Sequence, residues 1–236
     1  MIIAGLQKTT LIDYPKKIAC VVFLAGCNFR CPWCYSSELV LPLKIVKQPR
    51  LSEADFFDFL RKRQGLLEGV VICGGEPTIN KGLRQFVEKI KNLGYAVKLD
   101  TNGSNPKMLK ELVQAGLIDY VAMDIKISPE NNIYKNIMTE GITIDNIKES
   151  VDFLKQGNID FEFRTTVVNT VHKKEDFLKI VKWIGGPNTK YYLQNFRAEK
   201  TIDPEFEKIK PFKKEFLDEI VKEISPYFKD CQVRNS

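Results

Sequence analysis

Ile18-Ala19-Cys20-Val21-Val22-Phe23-Leu24-Ala25-Gly26-Cys27-Asn28-Phe29-Arg30-Cys31-Pro32-Trp33-Cys34-Tyr35 is an apolar run that breaks at a glycine into a cysteine-rich loop. A short, continuous apolar run closed by a turn signal is the pattern of a strand buried on both faces, as in parallel sheet. The loop holds three of the chain's six cysteines in C-x3-C-x2-C spacing. Three thiolates on so short a loop can converge on one metal centre, and thiolate is the usual protein ligand of iron–sulfur clusters. A cubane [4Fe–4S] cluster held by three cysteines keeps one iron open to a small molecule. Structural zinc is the competing reading, but it needs a closed set of four ligands. No second cysteine pair exists, and His172, the only histidine, is far away in sequence. Three clustered cysteines cannot all pair as disulfides.

Outward from this stretch the chain alternates. Residues 1–17 read as a short N-terminal extension of hairpin form, ahead of the first strand, Ile18 to Ala25. Pro42 to Pro49 reads as an irregular connection. Ser52, with Asp55 three residues on, opens a helix that runs to about Gln64. Val70 to Cys73 is a second strand, and Leu83, Phe86, Val87, Ile90 and Leu93 follow at helical spacing, closed by Gly94. Tyr95 to Leu99 is a third strand; Asn105-Pro106 caps a helix that ends near Gly116. Ile118 to Ile125 is the fourth strand, and a polar, irregular Ser128 to Gly141 precedes a helix stopped at Gly157. Ile159 to Val168, a helix over Glu175 to Ile184, and Lys190 to Phe196 complete the strands. A last helix carries Phe212, Phe216, Ile220 and Ile224 and ends at Pro226. Six strand-then-helix units with right-handed crossovers predict an α/β fold, part of a barrel.

The chain is identified by resemblance as a member of the radical S-adenosylmethionine (SAM) enzymes, whose signature is C-x3-C-x2-C with an aromatic, here Trp33, before the third cysteine. Leu11-Ile12-Asp13-Tyr14-Pro15 followed by Val22 to Pro32 resembles, more narrowly, the anaerobic ribonucleoside-triphosphate reductase activating proteins, which are glycyl-radical enzyme activases. The likeness covers most of the chain and is strongest over 11–126, 164–168 and 193–197. It implies one radical SAM domain over 1–236, with a partial (β/α)6 TIM-like barrel at about 18–200 and a C-terminal helix and tail at about 205–236. The implied cofactors are a [4Fe–4S] cluster on Cys27, Cys31 and Cys34, and SAM chelated at the open iron. The implied reaction is reductive cleavage of SAM to methionine and a 5′-deoxyadenosyl radical, with flavodoxin or ferredoxin as electron donor. Hydrogen abstraction from a glycine of the reductase follows. Tyr35 departs from the histidine or asparagine common at its position in activases.

In barrels of this kind functional loops sit at the carboxyl ends of strands, and the remaining motifs fall there. Gly74-Gly75-Glu76-Pro77 follows the second strand. Its glycines permit close approach to the backbone, and Glu76 is an acceptor suited to an ammonium group. Alone it could be a plain turn; beside the cysteine loop it resembles the element that holds SAM's amino group. Asp100-Thr101-Asn102-Gly103 and Asp124-Ile125-Lys126 resemble activase segments bordering SAM. That resemblance implies a monovalent cation at Asp100, Thr101 and Asp124, with Asn102 and Lys126 near SAM. The plainer alternative makes Asp100 a cap and Asp124–Lys126 a surface ion pair. Arg164, charged among apolar neighbours, needs a partner: SAM's carboxylate or an internal acid. Trp33 and Tyr35 could pack on adenine or simply on the loop. His172 reads as a surface residue entering a helix. Cys20, Cys73 and Cys231 read as inert small hydrophobes, and the Gln194–Arg197 segment has no assigned role.

The 36 Lys and Arg against 30 Asp and Glu leave +6, spread over mild clusters such as Arg61-Lys62-Arg63. That is too diffuse for a nucleic-acid surface, though a large acidic protein partner fits. No 18-residue apolar run predicts a membrane span, the N-terminus lacks a signal-peptide pattern, and clustered reduced cysteines suit the cytoplasm. Two rivals stay open: another single-cluster radical SAM enzyme, whether activase of a different glycyl-radical enzyme or small-molecule enzyme such as a 7-carboxy-7-deazaguanine synthase, and a non-catalytic iron–sulfur or zinc module.

Overall fold

Strand β2 (Ala19–Leu24) is buried almost end to end, as its unbroken apolar run requires. Against it, β1 (Ile3–Thr10) runs antiparallel, with Leu6 opposite Val22. On its other side β3 (Gly69–Gly74) runs parallel, Val22 opposite Ile72, and β4 (Ala96–Thr101) continues parallel, Ile72 opposite Leu99. The computed structural model describes residues 1–234, and these strands belong to the first of two units: Met1–Asn28, Glu38–Thr101 and Asn105–Val121.

Helices α1 (Ser37–Val40), α2 (Pro42–Ile45) and α3 (Glu53–Lys62) lie between β2 and β3 in sequence. The Ser52 hydroxyl accepts from Asp55 N (3.0 Å), so α3 begins where the capping pattern predicts. It buries Phe56, Phe57 and Leu60. Phe56 stacks on Phe86 of α4 (Leu83–Asn92), centroids 5.2 Å apart. Gly94 ends α4 at φ +87°, a conformation that costs other L-residues. Asn105 accepts from Met108 N (3.2 Å) to cap α5 (Pro106–Gln114). Between strands, Tyr14, Ala19, Val21, Val71 and Tyr120 form a buried cluster.

Strand β5 (Tyr120–Asp124) starts in the first unit and ends in the second, which takes Phe29–Ser37, Asn102–Ser104 and the chain from Ala122 onward. The second unit adds α6 (Ile133–Ile137), α7 (Ile144–Lys155), β6 (Asp160–Val167), α8 (Lys174–Ile184), β7 (Gly186–Asn195), α9 (Lys214–Ile224) and β8 (Phe228–Arg234). β6 and β7 are parallel, Thr165 opposite Leu193; β7 and β8 are parallel, Leu193 opposite Val233. Strand order follows chain order from β1 to β8. The fold is thus α/β with a mostly parallel sheet, consistent with the partial barrel that the alternation predicts.

The six predicted strands are β2 to β7. Among the described residues there are two more strands, neither of which carries an alternating apolar face. β1 sits in the expected N-terminal extension, and Gln7, Lys8 and Thr9 interrupt its pattern. β8 sits in the expected tail, whose last two residues lie outside the described ones. Its Arg234 makes a two-pronged bridge to the buried Glu162 (2.7 and 3.0 Å) and lies 3.4 Å above the Tyr192 ring. Short helices α2 and α6 also occupy the stretches expected to be irregular. Among the described residues, no helix is long and apolar enough to cross a membrane.

Candidate active site

In the first unit, β2 is followed two residues on by Gly26, whose φ of +99° turns the chain into the cysteine loop just before Cys27. Gly26 N donates to Leu39 O (2.8 Å), and Gly26 O accepts from Glu76 N (2.7 Å). The start of the loop is therefore bound to the Gly74-Gly75-Glu76-Pro77 turn. A Cβ at Gly74 would lie 2.5 Å from Leu24 N, and one at Gly75 would overlap Gly26 O and stand 2.6 Å from Gly26 C. Both glycines are required by this backbone approach between two strand ends, a structural demand additional to the ligand approach expected from sequence.

Glu76 is fully buried. Its Oε1 accepts from Thr78 N (3.0 Å), the Thr78 hydroxyl (2.5 Å) and the Thr101 hydroxyl (2.7 Å). The carboxylate is thereby fixed between the ends of β3 and β4, where three donors offset much of its desolvation. Beside it on β4, Asp100 pairs with Lys98, 2.5 Å from Nζ to Oδ1.

The second unit holds Cys31 and Cys34, with Cys34 N donating to Cys31 O (3.0 Å). Two segments brace the loop. On one side Arg30 N donates to Ile137 O (2.7 Å), and Phe29 bridges Met138. On the other, Ile202 N donates to Cys34 O and Asp203 N to Pro32 O, both at 3.0 Å. Trp33 is buried and tilts against Phe206, centroids 6.1 Å apart; Tyr35 is 46% exposed. Asn102 Oδ1 accepts from Ser104 N (2.9 Å), and Ser150 donates to Gly103 O (2.7 Å), which fixes the turn after β4.

Lys126 is held from every side. Its ammonium donates to Asp124 Oδ2 (3.1 Å), its N–H to the Tyr134 hydroxyl (3.0 Å), and its carbonyl faces His172 Nε2 (2.8 Å). Arg164 Nε donates to the other Asp124 oxygen at 3.0 Å. The internal acid that Arg164 could have is therefore Asp124, and the Asp124–Lys126 pair is half-buried. Burial alone would raise the Asp124 pKa, but Lys126 and then Arg164 bring it down to about 2. Burial opposes the Lys126 charge, yet Asp124 and the thiolates of Cys31 and Cys34 raise its pKa further. The positive side chain thus lies within electrostatic reach of Cys31 and Cys34.

His172 is buried, not a surface residue. Val168 N donates to its Nδ1 (3.1 Å), so Nε2 carries the proton given to Lys126 O. The sequence places it at the surface because it lies in a polar stretch entering a helix, a local pattern that does not show what packs over it. Lys98 was also missed, although a lone charge inside an apolar strand is the signal that singled out Arg164. In the Gln194–Arg197 segment, Asn195 Nδ2 donates to Phe212 O (2.8 Å).

None of the six cysteines is in a disulfide. Among the described residues, no three His, Cys, Asp or Glu side chains gather about a single-ion position. Three cysteines in C-x3-C-x2-C spacing are the donor set of a cubane with one open iron, whereas structural zinc takes a closed set of four.

A mostly parallel α/β fold with such a cysteine loop after its first parallel strand defines an iron–sulfur enzyme of the SAM-cleaving kind. The profile of the radical SAM superfamily matches residues 21–184, and the chain belongs to that superfamily. Its cofactors are accordingly a [4Fe–4S] cluster and SAM. The chain is 33% identical to a candidate glycyl-radical enzyme activating enzyme of Methanocaldococcus jannaschii, over 99% of this chain and 95% of that one. It is 31% identical to a Thermococcus kodakarensis 7-carboxy-7-deazaguanine synthase over 44% of this chain and 47% of the synthase. Among solved structures it resembles Streptococcus suis SuiB bound to its precursor peptide SuiA. That likeness has a TM-score of 0.67 and 13% identity, and covers 91% of this chain but only 48% of SuiB.

Proposed function

We propose that this enzyme makes a glycyl radical on a protein substrate, an anaerobic ribonucleoside-triphosphate reductase. The observation that carries the reading is the 33% identity to the M. jannaschii protein, over 99% of this chain and 95% of that one. The peptide-bound SuiB structure supports a protein or peptide substrate for this fold.

In this reading Cys27, Cys31 and Cys34 hold the cluster. When bound, and reduced by flavodoxin or ferredoxin, the cluster supplies the electron that splits the sulfonium of SAM into methionine and a 5′-deoxyadenosyl radical. The chain binds, aims and shields. Glu76, its carboxylate fixed by Thr78 and Thr101, receives the SAM ammonium at the Gly74-Gly75 turn. Asn102, Asp124, Lys126 and Arg164 border the rest of SAM, with Lys126 offsetting thiolate charge. Trp33 and Tyr35 flank the adenosine. Bound SAM would supply the hydrogen abstraction: the glycine Cα–H bond would break, the hydrogen would go to the 5′ carbon of deoxyadenosine, and the unpaired electron would stay on the glycine.

A small-molecule enzyme is the second reading, favoured by one observation: α6 and Met138 lie against the cysteine loop through Arg30 and Phe29. One experiment separates the two. The anaerobically reconstituted, reduced protein is mixed with SAM and a candidate reductase and read by EPR. A glycyl doublet with 5′-deoxyadenosine is expected. Deoxyadenosine without the doublet removes this partner, and neither product with the cluster intact removes the activity.

A further inference from the structure

The residues expected to hold a monovalent cation are each already engaged by groups of the chain itself. On β4, Lys98 and Asp100 are two residues apart, so their side chains share one face of the strand. Lys98 Nζ stands 2.5 Å from Asp100 Oδ1, and the two side chains are only 2% and 11% exposed. Thr101, on the opposite face, gives its hydroxyl hydrogen to Glu76 (2.7 Å). In the second unit, Asp124 faces two cations, Arg164 at 3.0 Å and Lys126 at 3.1 Å. One negative charge against one positive charge at Asp100, and one against two at Asp124, leaves neither carboxylate with uncompensated charge.

A buried carboxylate needs a counter-charge, from a side chain or from a metal ion. Burying a lysine ammonium is itself costly unless it is paired and hydrogen-bonded. Lys98 breaks the apolar run Ala96-Val97-Lys98-Leu99, where an aliphatic residue would fill the space without that cost. Its presence there is accounted for if its charge is needed at Asp100.

We infer that Lys98 is a built-in substitute for a monovalent cation, holding Asp100 in place at the carboxyl end of β4 so that the enzyme needs no bound Na⁺ or K⁺. Lys98 is a positioning residue: it touches Asp100, and Asp100 in turn is adjacent in sequence to Thr101 and Asn102. The inference rests on reading this strand end as part of the SAM site.

The test uses the protein with its cluster, in choline chloride, NaCl and KCl at equal ionic strength, with two readouts: thermal melting and SAM binding by equilibrium dialysis. For the wild type, both should be the same in all three salts. Lys98→Met, which keeps the length and removes the charge, should melt lower in choline and bind SAM about tenfold more weakly, because Asp100 is left as an unpaired buried charge. Na⁺ or K⁺, but not choline, should restore both. A merely structural lysine would give no cation-specific rescue. The inference is overturned if the wild type itself gains stability or affinity from Na⁺ or K⁺, or if Lys98→Met matches the wild type in every salt. Should Lys98→Met not fold, the wild-type salt series still decides. Failure of SAM to bind in any salt would remove the SAM-site reading, while the melts go on to judge Lys98.

Discussion

Replacing Gly75 by alanine puts a methyl group where Gly26 O already sits, with Gly26 C at 2.6 Å and Leu39 O at 3.1 Å. All three neighbouring atoms are backbone, so no side chain can swing aside. Either the turn or the start of the cysteine loop must move, and the bonds Glu76 N to Gly26 O (2.7 Å) and Gly26 N to Leu39 O (2.8 Å) stretch or break. Overpacking of this kind costs about 1–3 kcal/mol, and two backbone hydrogen bonds add about 1 kcal/mol each. The sum, about 3–5 kcal/mol, is a large part of the ~5–15 kcal/mol that keeps a domain folded. At this chain length it should lower the melting temperature by about 10 °C. Gly82→Ala is the control: nothing lies within 4 Å of its added methyl group, and its φ of −85° suits alanine. Thermal melting of both variants, with iron content after anaerobic reconstitution, is the assay. Gly75→Ala should melt low and incorporate less iron, because Cys27 follows the displaced Gly26. If it melts within about 1 °C of Gly82→Ala and takes up full iron, the backbone approach does not position the loop.

Cys31→Ala should lose iron and SAM cleavage, whereas Cys231→Ala should keep both, since burial pushes that thiol's pKa up to about 12; equal loss would undo the division of the cysteines. Arg234→Met strips the buried Glu162 of its two-pronged partner and should cost about 3–5 kcal/mol in urea unfolding, while a change below about 1 kcal/mol would show that β8 is not latched there. Burial lowers the His172 pKa from 6.5, so the unfolded chain takes up a proton there before the folded one. The stability this gives is present above pH 6.5 and falls as pH drops below it. His172→Gln should flatten that part of the stability–pH curve, and an unchanged slope would count against the neutral, Lys126-bound imidazole.

Local chemistry was enough to read much of this protein from its sequence. The apolar runs of β2 to β7, the Ser52 and Asn105 caps and the Gly94 stop are set by neighbours a few residues away. So is the C-x3-C-x2-C loop, because its spacing is a property of one continuous segment. Strand β1 was legible only as a hairpin-like extension and β8 not at all, since an edge strand needs only backbone partners and β8 is fastened by Arg234 to Glu162, 72 residues away. Only the tertiary structure decided who neutralises whom. Asp124 takes Arg164 from a strand 40 residues on, His172 reaches back 46 residues to Lys126 O, and Glu76 gathers Thr101 from the next strand. Charges and hydrogen bonds act through space, and a sequence shows which residues can pair without showing which ones meet.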